Sequence, residues 1–226
     1  MIKILIFDLD ETLYPRGAGL MREIGVRILR YLIERLQLPA EQAHVARVDY
    51  FQRYGTTLRG LIVERPNVDP EDYLQFVHDI PLTNYIRPNP ALAAMLRSIP
   101  LTKVIFTNAT VEHAHKVLNI LGCDDQFSAI IDVRAVDFES KPDPRAYQRL
   151  LDLLHARADE CILIEDSARN LRPGKALGMT TILVDSDDCD GVDYCVPTVL
   201  DVKAAVDRAI ERNGRALASG EAISDD

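Results

Sequence analysis

Five apolar residues, Ile2, Ile4, Leu5, Ile6 and Phe7, lead directly to Asp8 and Asp10. While the chain stays extended, side chains two residues apart share one face, so both carboxylates aim at one place. Like charges at the carboxyl end of a buried strand repel each other and are poorly hydrated, and a bound cation is the usual compensation. A simple turn needs no such pair. Further along, Thr107-Asn108, Lys141 and Glu165-Asp166 sit at the ends of apolar runs or in nearby loops. Together these residues supply carboxylates for a hard, oxygen-liganded cation such as Mg²⁺. They also supply a hydroxyl, an amide and an ammonium for the oxygens of an anion. A nucleophile, a metal and a phosphate cradle describe phosphoryl transfer through an aspartyl-phosphate.

These residues share a site only if the chain brings their strands side by side. The first apolar run is short and rich in β-branched and aromatic residues, as in a buried parallel strand. Comparable runs follow at 103–106, 127–133, 161–164 and 181–184, and helical patterns separate them. Leu20, Ile24, Ile28 and Leu32 recur every four residues, which predicts a helix ending before Pro39. A second helical stretch runs over 40–52, and Asp69-Pro70-Glu71-Asp72 reads as a helix start with an N-cap and a proline in the first turn. Further helices are predicted at 90–97, 111–121, 143–155, 168–177 and 199–212. Alternation of strand and helix predicts an α/β fold, a doubly wound parallel sheet with a Rossmann-like core, in which all strand ends lie on one edge. Residues 16–86 contain no strand-like run and are expected to form an inserted all-helical cap. The expected division is a core of residues 1–15 and 87–212, a cap of residues 16–86 and a disordered tail of residues 213–226.

At 226 residues the chain can bury a full core, one domain plus a modest insertion. The formal net charge of −9 argues against a nucleic-acid polymer or an anionic membrane as the main partner. A small phosphorylated metabolite stays compatible, since a metal and a few Lys, Arg or backbone N–H groups create a local positive field. No apolar run approaches the ~20 residues of a membrane span, and the first residues lack a signal-peptide pattern. A cytoplasmic protein is expected. Cys123, Cys161, Cys189 and Cys195 match no zinc spacing, and in that setting disulfides are disfavoured. Cys161 opens an apolar run and is expected as a reduced core residue.

With these residues in view, the sequence resembles the haloacid dehalogenase superfamily of phosphatases. Its four motifs stand in order as Asp8-Leu9-Asp10-Glu11-Thr12, Thr107-Asn108, Lys141-Pro142 and Glu165-Asp166-Ser167. The resemblance implies that Asp8 attacks phosphorus and that Asp10 protonates the leaving oxygen and later activates water. It implies that Thr107, Lys141 and the Asn108 backbone N–H bind phosphoryl oxygens. Asp8, the Asp10 carbonyl and Asp166 would hold Mg²⁺, with Glu165 ligating directly or through water. Dehalogenases of the superfamily lack an acid at the Asp10 position and use no metal, so Asp10 points to phosphoester chemistry. A narrower likeness, carried by residues 10–15, 54–61 and 165–170, is to the pyrimidine 5′-nucleotidase branch. It implies hydrolysis of nucleoside monophosphates, with the cap segment around Tyr54 and Arg59 closing over the nucleoside.

Some assignments stay open between two readings. Arg59 contacts substrate or is a solvated helix charge. Asn170 supports the metal ligands or is a helix-surface amide. His113 and His115, two apart, face different ways and make no i, i+4 metal pair; His115 belongs at the surface, while His113 can approach the site. Gly174-Lys175-Ala176 lacks the flanking residues of a phosphate loop, and residues 185–191 read as an exposed acidic loop, not a calcium site. The rival functions are a phosphatase or mutase for a small sugar phosphate or phosphoglycolate, and a non-catalytic binding protein of the same fold.

Overall fold

The computed structural model describes residues 1–186 and 189–219. After strand β1 (Ile4–Phe7) the chain makes four helices: α1 (Leu20–Glu34), α2 (Ala40–Tyr54), α3 (Thr57–Glu64) and α4 (Pro70–His78). It then continues through α5 (Pro90–Arg97), β2 (Thr102–Phe106), α6 (Val111–Leu121), β3 (Ala129–Ile131) and α7 (Pro144–Leu154). The remainder is β4 (Cys161–Glu165), α8 (Ala168–Ala176), β5 (Thr180–Val184), β6 (Tyr194–Val196) and α9 (Val202–Ser219).

All six strands lie parallel in the order β3-β2-β1-β4-β5-β6. The sheet is covered on both sides, which is why its strands are largely apolar on both faces. Side chains alternate between two cores. Leu5, Phe7, Ile162 and Ile164 pack with α5, α6 and α9, whereas Ile6, Val104 and Leu163 pack with α7 and α8. The strand order grows one way from β1 to β2 and β3, and the other way from β4 to β6. The crevice between β1 and β4 is therefore the switch point, where an open α/β sheet accepts ligands. Asp8, Glu165 and Asp166 fall at that place.

Helices α1 to α4 have a core of their own, built on Tyr31, Leu32, Ala43, Tyr50, Leu61, Tyr73 and Val77. Tyr31 meets Tyr73 edge-to-face at 5.0 Å. Local signals set the helix starts. Asp69 accepts the Glu71 N–H at 2.9 Å, and Thr56 accepts the Arg59 N–H at 3.1 Å. Gly55, with φ +85°, makes the tight exit from α2, and a Cβ there would stand 2.6 Å from the Lys141 carbonyl.

Three expectations need correction. The carboxyl-terminal segment is helical through Ser219, not frayed from residue 213, because Ala205, Val206 and Ala209 anchor α9 against the sheet. Residues 220–226 of the expected tail, and Asp187 and Asp188 of the acidic loop, lie outside the described residues. Strand β6 was not expected, since Tyr194-Cys195-Val196 is too short to show a pattern. Cys189 and Cys195 form a disulfide, against the expectation of reduced thiols; the loop between them brings their Cα atoms to 5.3 Å. Cys123 and Cys161 are free and buried.

Candidate active site

The Asp8 N–H bonds the Ile164 carbonyl at 2.9 Å, extending the β1–β4 ladder one residue past β1. The chain then turns away through Glu11, at φ 64°, and the Leu13 N–H closes the turn on the Leu9 carbonyl at 3.0 Å. This turn brings the Thr12 hydroxyl back to donate to Asp8 Oδ2 at 2.9 Å. Lys141 arrives from the loop before α7 and donates to three oxygens: Asp8 Oδ1 at 2.5 Å, Glu165 Oε1 at 2.8 Å and the Phe106 carbonyl at 2.9 Å. An ammonium has three hydrogens, so this buried lysine is fully satisfied.

The lysine is aimed from the loop between β2 and α6. The Asn108 side-chain oxygen accepts the Lys141 N–H at 2.8 Å, and its amide donates to the Lys141 carbonyl at 3.2 Å. Glu165 is wholly buried and receives Lys141, Asn170 Nδ2 at 2.7 Å and the Ser167 N–H at 2.9 Å. Asn170 therefore supports the carboxylate cluster. At the mouth, Arg16 donates to the Asp166 carbonyl and pairs with Asp166 Oδ2, each at 2.6 Å.

Burial pushes Asp8 up to about 7, although Lys141 pulls the other way. Burial and then the Asp8 charge push Asp166 up to about 6. Glu165 is raised by burial against the pull of Lys141. For Lys141, burial would lower the pKa, but Asp8 and Glu165 together raise it above the ordinary lysine value. Asp10 differs: burial works to raise it, yet hydrogen bonds and charge from His113 and the Tyr14 hydroxyl hold it below the ordinary carboxylate value.

Asp8, Glu165 and Asp166 each present a carboxylate oxygen within 4.8 Å of the others. The donors are all oxygens, and all three carboxyls remain raised despite Lys141 and Arg16. The cluster is short of positive charge, and a hard divalent cation fits it. Glu165 already receives three donors, so Asp8 and Asp166 are the better placed direct ligands.

Asp8, Asp10, Thr107, Asn108, Lys141, Asp166 and Asn170 line one cavity of about 410 Å³, with Glu165 beneath it. Its roof comes from α1 to α4, with Ile24, Ile28, Arg47, Phe51, Leu58 and Val77 lining it. Tyr54 and Arg59, expected over the substrate, do not line this cavity. The Tyr54 hydroxyl donates to Glu64 at 2.7 Å, and Arg59 pairs with Glu139 at 3.0 Å. The turn at Gly55 sends both to the outer side of the 141–145 loop, where they face a separate groove. Arg16, Arg47 and Tyr14 were not singled out from sequence. His113 was only a weaker candidate, yet its Nε2 lies 3.0 Å from Asp10 Oδ1. His115 bonds Asp124 at the surface.

Haloacid dehalogenase-like hydrolases, taken as a family, match residues 2–178. The chain is 26% identical over 196 residues to phosphate metabolism protein 8 of Saccharomyces cerevisiae, which covers 80% of this chain and 61% of that protein. It is 24% identical over 199 residues to the glyceraldehyde 3-phosphate phosphatase of Methanopyrus kandleri, covering 81% of this chain and 84% of the relative. Among solved structures, the L-2-haloacid dehalogenase of Xanthobacter autotrophicus superposes with a TM-score of 0.60 at 18% identity, over 92% of this chain and 99% of that one. At that identity the superposition speaks for the fold alone.

Proposed function

The chain belongs to the haloacid dehalogenase-like hydrolases, and from that premise we propose a Mg²⁺-dependent phosphomonoesterase acting through an aspartyl-phosphate on Asp8. When bound, Mg²⁺ would supply charge neutralisation for the phosphoryl oxygens and the carboxylates, with Asp8, Asp166 and the Asp10 carbonyl as its protein ligands and Glu165 behind them. Lys141 and Thr12 hold Asp8 by its two oxygens and keep the nucleophile oriented. Thr107 and Asn108 line the same cavity and would bind phosphoryl oxygens through the Thr107 hydroxyl and the Asn108 backbone N–H. Asp10 protonates the leaving oxygen and then takes a proton from the attacking water.

One contrast carries this reading. Two carboxylates open into one cavity but belong to separate networks, Asp8 to a buried lysine and Asp10 to a tyrosine and a histidine. Acid and nucleophile are therefore oriented by different neighbours within one site. Asp10 also argues against dehalogenase chemistry, whose leaving halide needs no proton.

For substrate we propose small phosphomonoesters, pyrimidine nucleoside 5′-monophosphates such as UMP and CMP among them. The cavity volume suits a ligand of that size, and Phe51 gives the roof an aromatic face. The likeness to a glyceraldehyde 3-phosphate phosphatase supports a second reading, a small sugar phosphate. The test is phosphate release from UMP, CMP, glyceraldehyde 3-phosphate and phosphoglycolate, with Mg²⁺ and with EDTA. Metal-dependent release strongest on UMP or CMP is expected; release strongest on a triose phosphate keeps the chemistry and replaces the substrate. Absence of release from every compound sinks the enzymatic reading.

A further inference from the structure

Asp10 has two hydrogen-bond partners, and both address the same oxygen. The Tyr14 hydroxyl donates to Oδ1 at 2.7 Å, and His113 Nε2 lies 3.0 Å from that atom. An ionised carboxylate carries no hydrogen, so the hydrogen of the second bond sits on Nε2. Oδ2 receives no hydrogen bond from the described residues. Both partners are fixed: Tyr14 is 3% exposed and His113 2% exposed. Thr110, the N-cap of α6, accepts the His113 backbone N–H at 3.2 Å, and the imidazole packs on His78 of α4 at 4.6 Å between ring centroids. Neither Tyr14 nor His113 lines the cavity, although Asp10 does.

We propose that Tyr14 and His113 are positioning residues that turn Asp10 Oδ1 into the protein and leave Oδ2 as the oxygen that passes the proton. The inference deepens the phosphomonoesterase reading and rests on it. In the first half-reaction an Asp8 oxygen bonds to phosphorus as the bond from phosphorus to the leaving oxygen breaks. The electron pair stays on that oxygen, which takes the proton from Asp10 Oδ2. In the second, a water oxygen bonds to phosphorus, its proton goes to Oδ2, and the bond to Asp8 breaks with the pair returning to the Asp8 carboxylate. An unclamped carboxylate rotates about its Cβ–Cγ bond and presents either oxygen. Two donors on one oxygen remove that freedom before substrate arrives, which is pre-organisation of the acid.

The test compares kcat/KM for UMP, whose alkoxide must be protonated as it leaves, with p-nitrophenyl phosphate, whose phenolate departs unaided. Because kcat/KM reports steps only through departure of the leaving group, the later role of Asp10 as a base does not blur the result. For His113→Leu and for Tyr14→Phe, kcat/KM on UMP should fall about 100-fold, within the range of a general acid. On p-nitrophenyl phosphate the loss should stay below about threefold. His113→Gln, which can still donate, should recover at least about tenfold on UMP. If His113→Leu fails to fold, Tyr14→Phe, which deletes a single oxygen, carries the same comparison. Equal losses on both substrates, or no loss on UMP, overturn the positioning role. A wild-type protein that releases phosphate from neither substrate overturns the phosphatase reading itself, and this inference with it.

Discussion

On the floor of the cavity, Lys141 is 2% exposed and its three hydrogens are all taken, by Asp8, Glu165 and a carbonyl. On the roof, Arg47 is half-buried, packs against Gly25 and makes no hydrogen bond or ion pair with the described residues. Both are cations facing one space, yet one is committed to the protein and the other is available to a ligand. The floor is a closed polar network in which removing any member strands the rest. The roof is mostly apolar, with Ile24, Ile28, Phe51 and Val77 around the Arg47 guanidinium. On the proposed phosphomonoesterase reading, the difference separates chemistry from selectivity: the floor would handle what all phosphomonoesters share, and the roof would meet what distinguishes one leaving group from another.

Substitutions can break that division of labour. The largest effect belongs to Asp8→Asn, which should lower turnover by at least about 10⁴-fold while circular dichroism shows an intact fold. Appreciable residual turnover would remove Asp8 as nucleophile. Next comes Lys141→Ala, which leaves Asp8 and Glu165 buried without their cation. It should cost about 3–5 kcal/mol of unfolding free energy, read from urea denaturation. A cost no greater than that of a surface lysine would contradict the closed network.

The third expectation concerns Mg²⁺ and pH. Burial pushes Asp8 up to about 7 and Asp166 up to about 6, and a cation needs both ionised. Lowering the pH from 7 to 6 should therefore raise the Mg²⁺ concentration for half-saturation roughly tenfold. The same competition makes the Mg²⁺-induced rise in thermal midpoint larger at pH 8 than at pH 5.5. A shift independent of pH would remove these carboxylates from the metal site. The smallest effect sharpens the contrast on the roof. Arg47→Ala should raise KM about tenfold through loss of a charged hydrogen bond to substrate, with kcat little changed. Arg59→Ala, outside the cavity, should leave KM within about twofold, since its pair with Glu139 serves the seam between α3 and the loop before α7.

These two regions also differ in how far they could be read from sequence. Asp8, Thr107 and Glu165 follow apolar strands, and the parallel sheet forces strand ends to one edge, so a local pattern located a distant meeting place. Arg47 and Arg59 both sit on helices of the cap, and nothing local says which helix face looks down on the site. That choice is made by the turn at Gly55 and by the packing of Tyr50 and Tyr73, which are tertiary facts. His113 met Asp10 across a long stretch of chain, and the spacing rule that excluded a metal pair with His115 gave no hint of that partner. The Cys189–Cys195 bridge was invisible for a similar reason, because it depends on how a loop folds back beside β6.

The sheet order has a consequence for how the chain must assemble. β1 lies at the centre, with Ile4 paired to Thr102 on one side and to Cys161 on the other. During synthesis this apolar strand emerges before both neighbours and stays unpaired until most of the chain is made. Its contacts are among the longest-range in the molecule, which favours slow folding and leaves a sticky segment exposed meanwhile. Helices α1 to α4, with a core of their own, leave the ribosome next and are the first part able to fold by local contacts. The part that shapes the substrate thus matures before the part that performs the chemistry.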